Sequence, residues 1–405
     1  MKKNISILLL LFALAFLVRF LLGDGVKPPI RVGILHSLSG TMAFSEQPLV
    51  DALIFAIEEV NAQGGVLGRT IEPIIVDGQS DWTHFAKEAE RLIVDEQVAA
   101  IFGCWTSACR KAVKPVVEKY QQLLFYPVQY EGVEQSPNII YTGETPNQQI
   151  TPSIAWALNN LGKTFFLVGS DYVFPRTANQ IIKDLVHAQQ GVVLAEHYLP
   201  LGATDMQAII ADIQQLQPDV ILNTINGDSN IAFFQALKTI NKIPVISYSI
   251  AEPELEKIGL DVMQGHYAVW SYFQSIASTE NTVFVKKFQQ RFGEQRMVNA
   301  PMVASYTGLH LWIQAVKHAQ SFDPDNIRNV IGKGSINVPE GIVAVDATTQ
   351  HLWKTPRIGQ VRADGQFDII WQADKPIRPV PYPSYRSHKE WQQLVNKFLS
   401  SELAQ

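Results

Sequence analysis

Short apolar runs alternate with amphipathic segments along most of this chain. The runs are rich in Val, Ile and Leu, and the segments between them carry apolar residues at every third or fourth position, which is typical of strands followed by helices. In the first part of the chain the order is β-α-β-α-β-α-β, and this order predicts a doubly wound parallel sheet. The predicted strands of this series are 30–35, 70–76, 98–102 and 123–126.

A second series with the same alternation begins after Pro146. Its predicted strands are 164–169, 192–198, 219–224 and 244–247, and predicted helices separate them. With 405 residues and a hydrophobic content of 47%, the chain can fill the cores of two such domains. The fold class that we predict is therefore α/β, with two doubly wound lobes of similar size that face each other across a cleft.

The last third of the chain changes this pattern. Residues 266–273 are predicted to form a strand that leads back toward the first lobe, and predicted helices over 281–292 and 301–320 follow it. A hairpin is predicted around Asp364-Gly365. We expect it to belong to the second lobe, to which the chain would return near its end. The predicted division is 26–145 with 274–345 in the first lobe, 146–273 with 346–385 in the second lobe, and a C-terminal helical tail over 386–405.

The N-terminus differs from the rest of the chain. Lys2 and Lys3 precede an apolar run over 5–22, an arrangement typical of a secretory signal peptide. The run is at the short edge of a transmembrane span, and the Gly-Asp-Gly that follows it is a weak cleavage site. We expect residues 1–25 to be a signal peptide that is removed, with a retained N-terminal anchor as the alternative. No cysteine follows the run directly, so a lipid anchor is not predicted.

Composition and motif content exclude several classes of function. The formal net charge is -5 and no basic excess exists, so we predict no nucleic-acid partner. The chain contains no G-x-S-x-G, no phosphate-binding GxxxxGK[ST] and no HExxH motif. Its nine histidines are spread without the spacing of metal ligands. We therefore predict no catalytic residue, no metal and no cofactor.

The two cysteines, Cys104 and Cys109, are five positions apart. We expect these thiols to do no chemistry, because the further ligands of a metal site are missing. A disulfide between them is the less favoured alternative, since Cys104 precedes a predicted helix and Cys109 falls in its first turn.

Polar and aromatic residues follow two neighbouring strands of the first lobe. After strand 98–102, Ser107 is predicted to be the N-cap of the next helix, with an oxygen near the free N–H groups of the first turn. Tyr126 and Gln129 lie at the exit of strand 123–126. Because ligands of open α/β sheets bind beyond the carboxyl ends of the strands, we expect these side chains to form half of a ligand pocket.

Strand ends of the second lobe supply the other half of the predicted pocket. Tyr172, Asn226 and Ser249 each follow a predicted strand, and Trp105 offers an apolar wall from the first lobe. These candidates are uncharged, and a buried ion without a counter-charge is costly, so a small neutral polar ligand fits best. The acidic residues beside these turns, which we interpret as helix caps or exposed side chains, are Glu131, Asp171, Asp228 and Glu252.

Five motifs in this order resemble the urea- and amide-binding branch of the type I periplasmic binding proteins. That branch includes the receptors of urea ABC transporters and the amide-sensing regulator of aliphatic amidase. The likeness extends over nearly the whole chain after the N-terminal run. The motifs are the segment 103–149, which begins GCWTSACRK, and then GSDYVFPRTAN, TINGDSN, YSIAEPEL and GHYAVWSYFQS.

The resemblance implies two lobes joined by a three-segment hinge, a ligand in the cleft and no catalysis. It implies that Ser107 and Tyr126 belong to the ligand half-site of the first lobe. It assigns Tyr172, Asn226 and Ser249 to the half-site of the second lobe. It also implies a membrane permease as the partner.

Within this branch, FYPVQYEG and TINGDSN are closer to the urea receptors. We therefore expect an exported binding protein that captures urea or a short-chain aliphatic amide and delivers it to an ABC transporter. The alternative is a sensor that an uncleaved N-terminal segment anchors to the membrane and that regulates a signalling partner. An amidohydrolase is disfavoured, because the sequence offers no nucleophile, base or metal set.

Overall fold

The computed structural model describes residues 27–240 and 242–402. These residues form two α/β lobes, each built around its own sheet, and the chain passes between the lobes three times. The predicted two-lobe α/β fold is confirmed. The signal peptide or anchor predicted over 1–25 lies outside the described residues.

The sheet of the first lobe has five parallel strands in the order β2-β1-β3-β4-β5. Helices follow β1, β2 and β3, as the periodicity predicts. The strands are β1 (Ile30–His36), β2 (Ile71–Asp77), β3 (Ile101–Gly103), β4 (Leu124–Tyr126) and β5 (Ile139–Tyr141). The helices are α1 (Ala43–Ala62), α2 (Trp82–Val94) and α3 (Ser107–Lys119).

The second lobe repeats this alternation. Its strands β6, β8, β9 and β10 are parallel neighbours, and β7 pairs with β6 at the edge. The strands are β6 (Thr164–Ser170), β7 (Val192–Leu199), β8 (Val220–Thr224), β9 (Val245–Ser247) and β10 (Tyr267–Trp270). The helices are α4 (Ile150–Asn160), α5 (Val173–Ala188), α6 (Gln207–Leu216), α7 (Ser229–Leu237), α8 (Glu252–Ile258) and α9 (Leu260–Met263).

After β10 the chain returns to the first lobe. Helix α11 packs along α1 and covers β3 and β4, with a buried apolar face that includes Leu309 and Trp312. The helices are α10 (Thr279–Phe292), α11 (Ala300–Ala319) and α12 (Pro324–Arg328). A small antiparallel sheet then follows, made of β11 (Ser335–Val338), β12 (Gly341–Val345) and β13 (Leu352–Trp353).

The predicted hairpin around Asp364-Gly365 is present at the edge of the second sheet. β14 (Arg357–Val361) and β15 (Phe367–Gln372) are antiparallel, and β14 pairs with β10. The final helix, α13 (His388–Glu402), packs on α5 of the second lobe.

The third passage between the lobes comes later than predicted. Strand β13 pairs with β12 through Ala344 and Trp353, so residues up to 353 belong with the first lobe. The boundary predicted after residue 345 is therefore about one short strand too early. The reason is that β13 has only two residues, and no periodicity can be read from a run of that length.

Two adjacent glycines end α1 and allow a sharp turn toward β2. Both have positive φ angles, +92° for Gly64 and +77° for Gly65. A side chain on Gly64 would meet no atom within 4 Å, whereas a Cβ on Gly65 would lie 2.0 Å from the carbonyl oxygen of Arg69. The two positions therefore share the backbone strain but differ in steric space.

We predict that Gly64→Ala lowers the free energy of unfolding by about 1 kcal/mol, the cost of a left-handed alanine. Gly65→Ala should cost about 1–3 kcal/mol more, because it adds a collision with backbone that cannot move aside. Thermal unfolding followed by circular dichroism measures both. Equal losses in the two variants would contradict this account of the turn.

Candidate ligand-binding site

The loop between β3 and α3 turns sharply at the edge of the first sheet. A Cβ on Gly103 would lie 2.1 Å from the carbonyl oxygen of Leu35, so this close approach of β3 to β1 requires glycine. Cys104 follows with a φ of +66°. Thr106 then caps α3, and its Oγ1 accepts a hydrogen bond of 3.1 Å from the backbone N–H of Cys109.

The prediction that Ser107 is the N-cap is wrong by one residue. Thr106 has the extended backbone of a cap, with φ -72° and ψ 150°, while Ser107 is already the first residue of the helix. Because Thr106 and not Ser107 supplies the capping bond to the Cys109 N–H, the Ser107 side chain is available for other bonds.

Cys104 and Cys109 form a disulfide, which corrects the expectation that they stay unbridged. The left-handed conformation of Cys104 turns the chain back toward the first turn of α3 and brings the two Cα atoms to 5.7 Å. A left-handed cysteine cannot be foreseen from spacing. The bridge closes a small loop that contains Trp105, Thr106, Ser107 and Ala108.

Arg110, in the first turn of α3, is fully buried and bonded to two carboxylates. Its Nε donates to Glu134 Oε1 at 2.7 Å, and its Nη2 donates to Glu131 Oε1 at 3.2 Å. A third bond of 3.0 Å runs from Nη1 to the Oγ of Ser107. Lys111 Nζ adds a bond of 2.9 Å to Glu134 Oε2. Two cations and two carboxylates thus neutralise one another behind Ser107.

This network corrects the interpretation of Glu131 as a cap or an exposed side chain. Its side chain is 0% exposed, because Arg110 supplies the counter-charge that burial requires. Burial would raise the pKa of the Glu134 carboxyl, but the charges of Arg110 and Lys111 outweigh it and hold that pKa well below its usual range. Glu134 is therefore held as a carboxylate.

Aromatic rings complete the environment of Arg110. The guanidinium carbon lies 4.8 Å from the ring centre of Tyr126 and 4.4 Å from that of Tyr130. His351 stacks on Tyr141, with the ring centres 4.0 Å apart, and burial lowers the pKa of His351 to about 3. The histidine is therefore neutral and adds no charge to the cluster.

The hydroxyl protons of Ser107 and Tyr126 are already used within the first lobe. Ser107 donates to Glu131, and the hydroxyl of Tyr126 donates to the carbonyl oxygen of Trp105 at 2.5 Å. Each hydroxyl carries one proton and two lone pairs. Toward a ligand, these two oxygens therefore act as hydrogen-bond acceptors.

The structure brings four predicted site residues together in pairs across the two lobes. Trp105 Nε1 donates to Asn226 Oδ1 at 3.1 Å. Gln129 Nε2 donates to Ser249 Oγ at 3.0 Å and to the carbonyl oxygen of Tyr248 at 2.7 Å. The two lobes are therefore in contact. Trp105, predicted as an apolar wall, also donates a hydrogen bond through its indole. Gln129 Oε1 is buried and has no hydrogen-bond partner.

Asn226 and Tyr172 lie at adjacent strand ends of the second lobe. The backbone N–H of Asn226, just beyond β8, donates to Ser170 Oγ at 3.0 Å, and Ser170 is the last residue of β6. Tyr172 precedes α5 and packs near Phe174, with the ring centres 6.3 Å apart. The seven predicted site residues are all at least 97% buried: Trp105, Ser107, Tyr126, Gln129, Tyr172, Asn226 and Ser249.

The other three acidic residues have different environments. Glu252 is fully buried, not exposed as interpreted, and burial raises its pKa to about 8. Burial also raises the pKa of Glu254, two residues further along α8, to about 7. Asp171 pairs with Arg176 at 2.5 Å. Asp228 stands at the N-cap position of α7, but its side chain makes no capping bond.

Sequence reasoning missed Arg110, Glu134 and Glu254. A signal existed for Arg110, because it lies three positions after Ser107 and therefore on the same face of α3. Its two carboxylate partners, 21 and 24 positions away in the chain, could not be paired with it from sequence. Within the described ranges, no three His, Cys, Asp or Glu side chains form a metal-binding group.

A profile of the periplasmic binding protein domain matches residues 30–388. The chain belongs to this family. Members of this family are solute-binding proteins of the periplasm and are not enzymes. Among the described residues of this periplasmic binding protein, no helix has the length and apolar character that a bilayer span requires.

Relatives and solved structures agree with the family. Leu/Ile/Val-binding protein homolog 7 of Brucella suis biovar 1 is 25% identical over 377 residues, 87% of this chain and 91% of that protein. A solute-binding protein of an R. palustris ABC transporter, solved with 4-hydroxybenzoate, has a TM-score of 0.78 at 24% identity and covers 86% of this chain and 98% of its own.

A shorter match is to limonene hydroxylase of Geobacillus stearothermophilus, 34% identical over 124 residues. It involves 31% of this chain and 23% of that protein, so this periplasmic binding protein spans only about a quarter of that relative. None of these three relatives is named for urea or an amide, and the urea and amide branch stays a prediction.

We predict that Arg110→Met destabilises this periplasmic binding protein by about 3–5 kcal/mol, because two buried carboxylates lose their main partner. Guanidinium chloride unfolding measures the loss. Arg291→Met is the matched control, since Arg291 pairs with Glu58 at the surface, where the side chains are 50% and 42% exposed. The control should unfold nearly as the parent does. A parent-like Arg110 variant would contradict the pairing described above.

Proposed function

We propose that this periplasmic binding protein captures urea or a short-chain aliphatic amide and delivers it to the permease of an ABC transporter. The observation that carries the proposal is that the first-lobe half of the site offers hydrogen-bond acceptors and no uncommitted cation. Such a half-site favours a neutral ligand with several N–H groups. Trp105, Ser107, Tyr126, Gln129, Tyr172, Asn226 and Ser249 are the residues that we propose to surround it.

The charges argue against an acidic ligand. A bound carboxylate needs a cation or free N–H groups, because an unpaired buried charge costs several kcal/mol. Arg110 is already bonded to Glu131 and Glu134, and Lys111 is bonded to Glu134. A carboxylate ligand would have to compete with two resident carboxylates for the same cations.

The acceptors argue for a ligand rich in N–H groups. Ser107 and Tyr126 have committed their protons to Glu131 and to the Trp105 carbonyl, so their remaining lone pairs face any further partner. Gln129 Oε1 is a buried acceptor without a partner, and such groups are usually satisfied in the functional state. Urea has an amino group on either side of its carbonyl, and acetamide has one.

Closure explains how binding would be signalled to the permease. Gln129 of the first lobe already bonds Ser249 of the second, so a ligand beside them would touch both lobes. A ligand that contacts both half-sites stabilises only the closed arrangement, because its affinity differs between the two states. The export that this role requires is supported by the apolar run over 5–22. The sensor alternative differs in retaining that run as an anchor.

Isothermal titration calorimetry of the purified protein tests the ligand class. We expect saturable binding of urea, formamide or acetamide. We expect none of 4-hydroxybenzoate, acetate or leucine, because each carries a carboxylate. Acetate is the matched control for acetamide, since the two molecules differ mainly in charge and N–H groups. Binding of a carboxylate ligand, with no heat from urea or the amides, would refute the proposal.

Two single-atom variants test the position of the ligand. Ser107→Ala and Tyr126→Phe should each weaken binding of urea or acetamide by about 1–2 kcal/mol, or about five- to thirtyfold, because each removes one acceptor from a closed site. Ser305→Ala is the control, since Ser305 is equally buried but bonds the Pro301 carbonyl within α11. Unchanged affinity in both site variants would mean that the ligand lies elsewhere.

A further inference from the structure

Three chain segments cross between the lobes, and one buried cluster joins them. The segments are 142–149 between β5 and α4, 271–278 between β10 and α10, and 354–356 between β13 and β14. Lys354 is the first residue of the third segment, and its side chain is 1% exposed. Its Nζ donates to Ser271 Oγ of the second segment at 3.0 Å. It also lies 4.0 Å from Glu144 Oε1 of the first segment.

Residues of both lobes complete this hinge cluster. Glu340, in the turn between β11 and β12 of the first lobe, accepts from Lys354 Nζ at 3.0 and 2.9 Å through its two carboxylate oxygens. Arg357, the first residue of β14 in the second lobe, donates to the Ser271 carbonyl and reaches the Glu340 carbonyl at 3.4 Å. The Ser271 backbone N–H donates to Glu144 Oε1 at 2.9 Å. The positive charges of Lys354 and Arg357 balance the negative charges of Glu144 and Glu340.

From this cluster we infer that Lys354 is a positioning residue for ligand capture, which holds the three crossing segments in the arrangement where the lobes touch. Hinge motion changes the backbone angles of such segments and so changes the distances between them. Hydrogen bonds are lost beyond about 3.5 Å, so one ammonium can satisfy Ser271 and Glu340 together only near one lobe geometry. That geometry is the observed one, with Trp105 bonded to Asn226.

A further bond set ties the first segment to chain that adjoins the third segment, namely β13 and Ile377, which pairs with the backbone of Lys354. Gln148 Nε2, in the first segment, donates to the carbonyl of Leu352 at 2.9 Å and to that of Ile377 at 2.8 Å. These bonds involve no charge and do not use the Lys354 side chain. They should keep the hinge folded when the ammonium is removed, so that loss of the cluster changes the lobe equilibrium before it unfolds the protein.

The inference does not rest on the proposed ligand, because the ligand-free protein tests it. Spin labels on cysteines at Lys87 of α2 and Gln215 of α6, both exposed and on different lobes, report the interlobe distance by double electron–electron resonance. Cys104 and Cys109 are joined and buried, so they do not take the label. We expect Lys354→Met to raise the ratio of open to closed molecules about tenfold.

Lys287→Met is the matched control, because Lys287 pairs with Glu59 within the first lobe, away from the hinge. It should leave the distance distribution unchanged. If Lys354→Met does not fold, the double variant Lys354→Met/Glu340→Gln removes both partners of the strongest pair and leaves less uncompensated charge. The same distribution in the parent and in a folded Lys354 variant would overturn the inference, as would an equal shift in the Lys287 control.

Discussion

The buried guanidinium of Arg110 is the interaction on which the candidate site depends. A charge without solvent must be paired, and here the partners are Glu131 and Glu134, which follow β4. The pairing fixes the segment after β4 against the first turn of α3. Ser107 is held by the same network, as donor to Glu131 and acceptor from Arg110. Arg110 and Glu131 lie behind the residues that would touch a ligand. Their bonds to Ser107 determine whether its hydroxyl can donate or accept toward that ligand.

The same principle of satisfying buried polar groups explains how the two lobes interact. In an open cleft, water can bond Asn226 and Gln129; in the closed cleft, Asn226 bonds Trp105, and Gln129 bonds Ser249 through its amide nitrogen. Gln129 Oε1 stays unpaired, and a buried acceptor without a partner costs about 1–3 kcal/mol. A ligand that donates an N–H there would remove this cost. This unpaired acceptor is one reason why we propose a ligand that donates N–H groups.

The features that were predicted correctly from the sequence depend on neighbouring residues. The features that were missed depend mainly on contacts between residues far apart in the chain. The alternation of strands and helices and the Asp364-Gly365 hairpin are properties of neighbouring residues, and both were predicted correctly. The burial of Glu131 depends on Arg110, 21 positions away, and the disulfide depends on a left-handed Cys104. Thr106, not Ser107, is the N-cap of α3, so the helix begins one residue earlier than predicted. Sequence patterns do not locate helix ends to within one residue.

Family membership leaves the ligand open because the fold and the specificity have different physical origins. The two sheets and their crossings depend on apolar periodicity, which proteins at 24–25% identity retain. In our proposal, specificity depends on a few polar atoms beyond the strand ends, where the charge of Arg110 is already paired with Glu131 and Glu134. If Arg110 were not neutralised by Glu131 and Glu134, the same α3 N-terminus would attract a carboxylate. Because it is neutralised, the first half-site presents lone pairs, and this is the basis of our proposal that an uncharged N–H donor binds there.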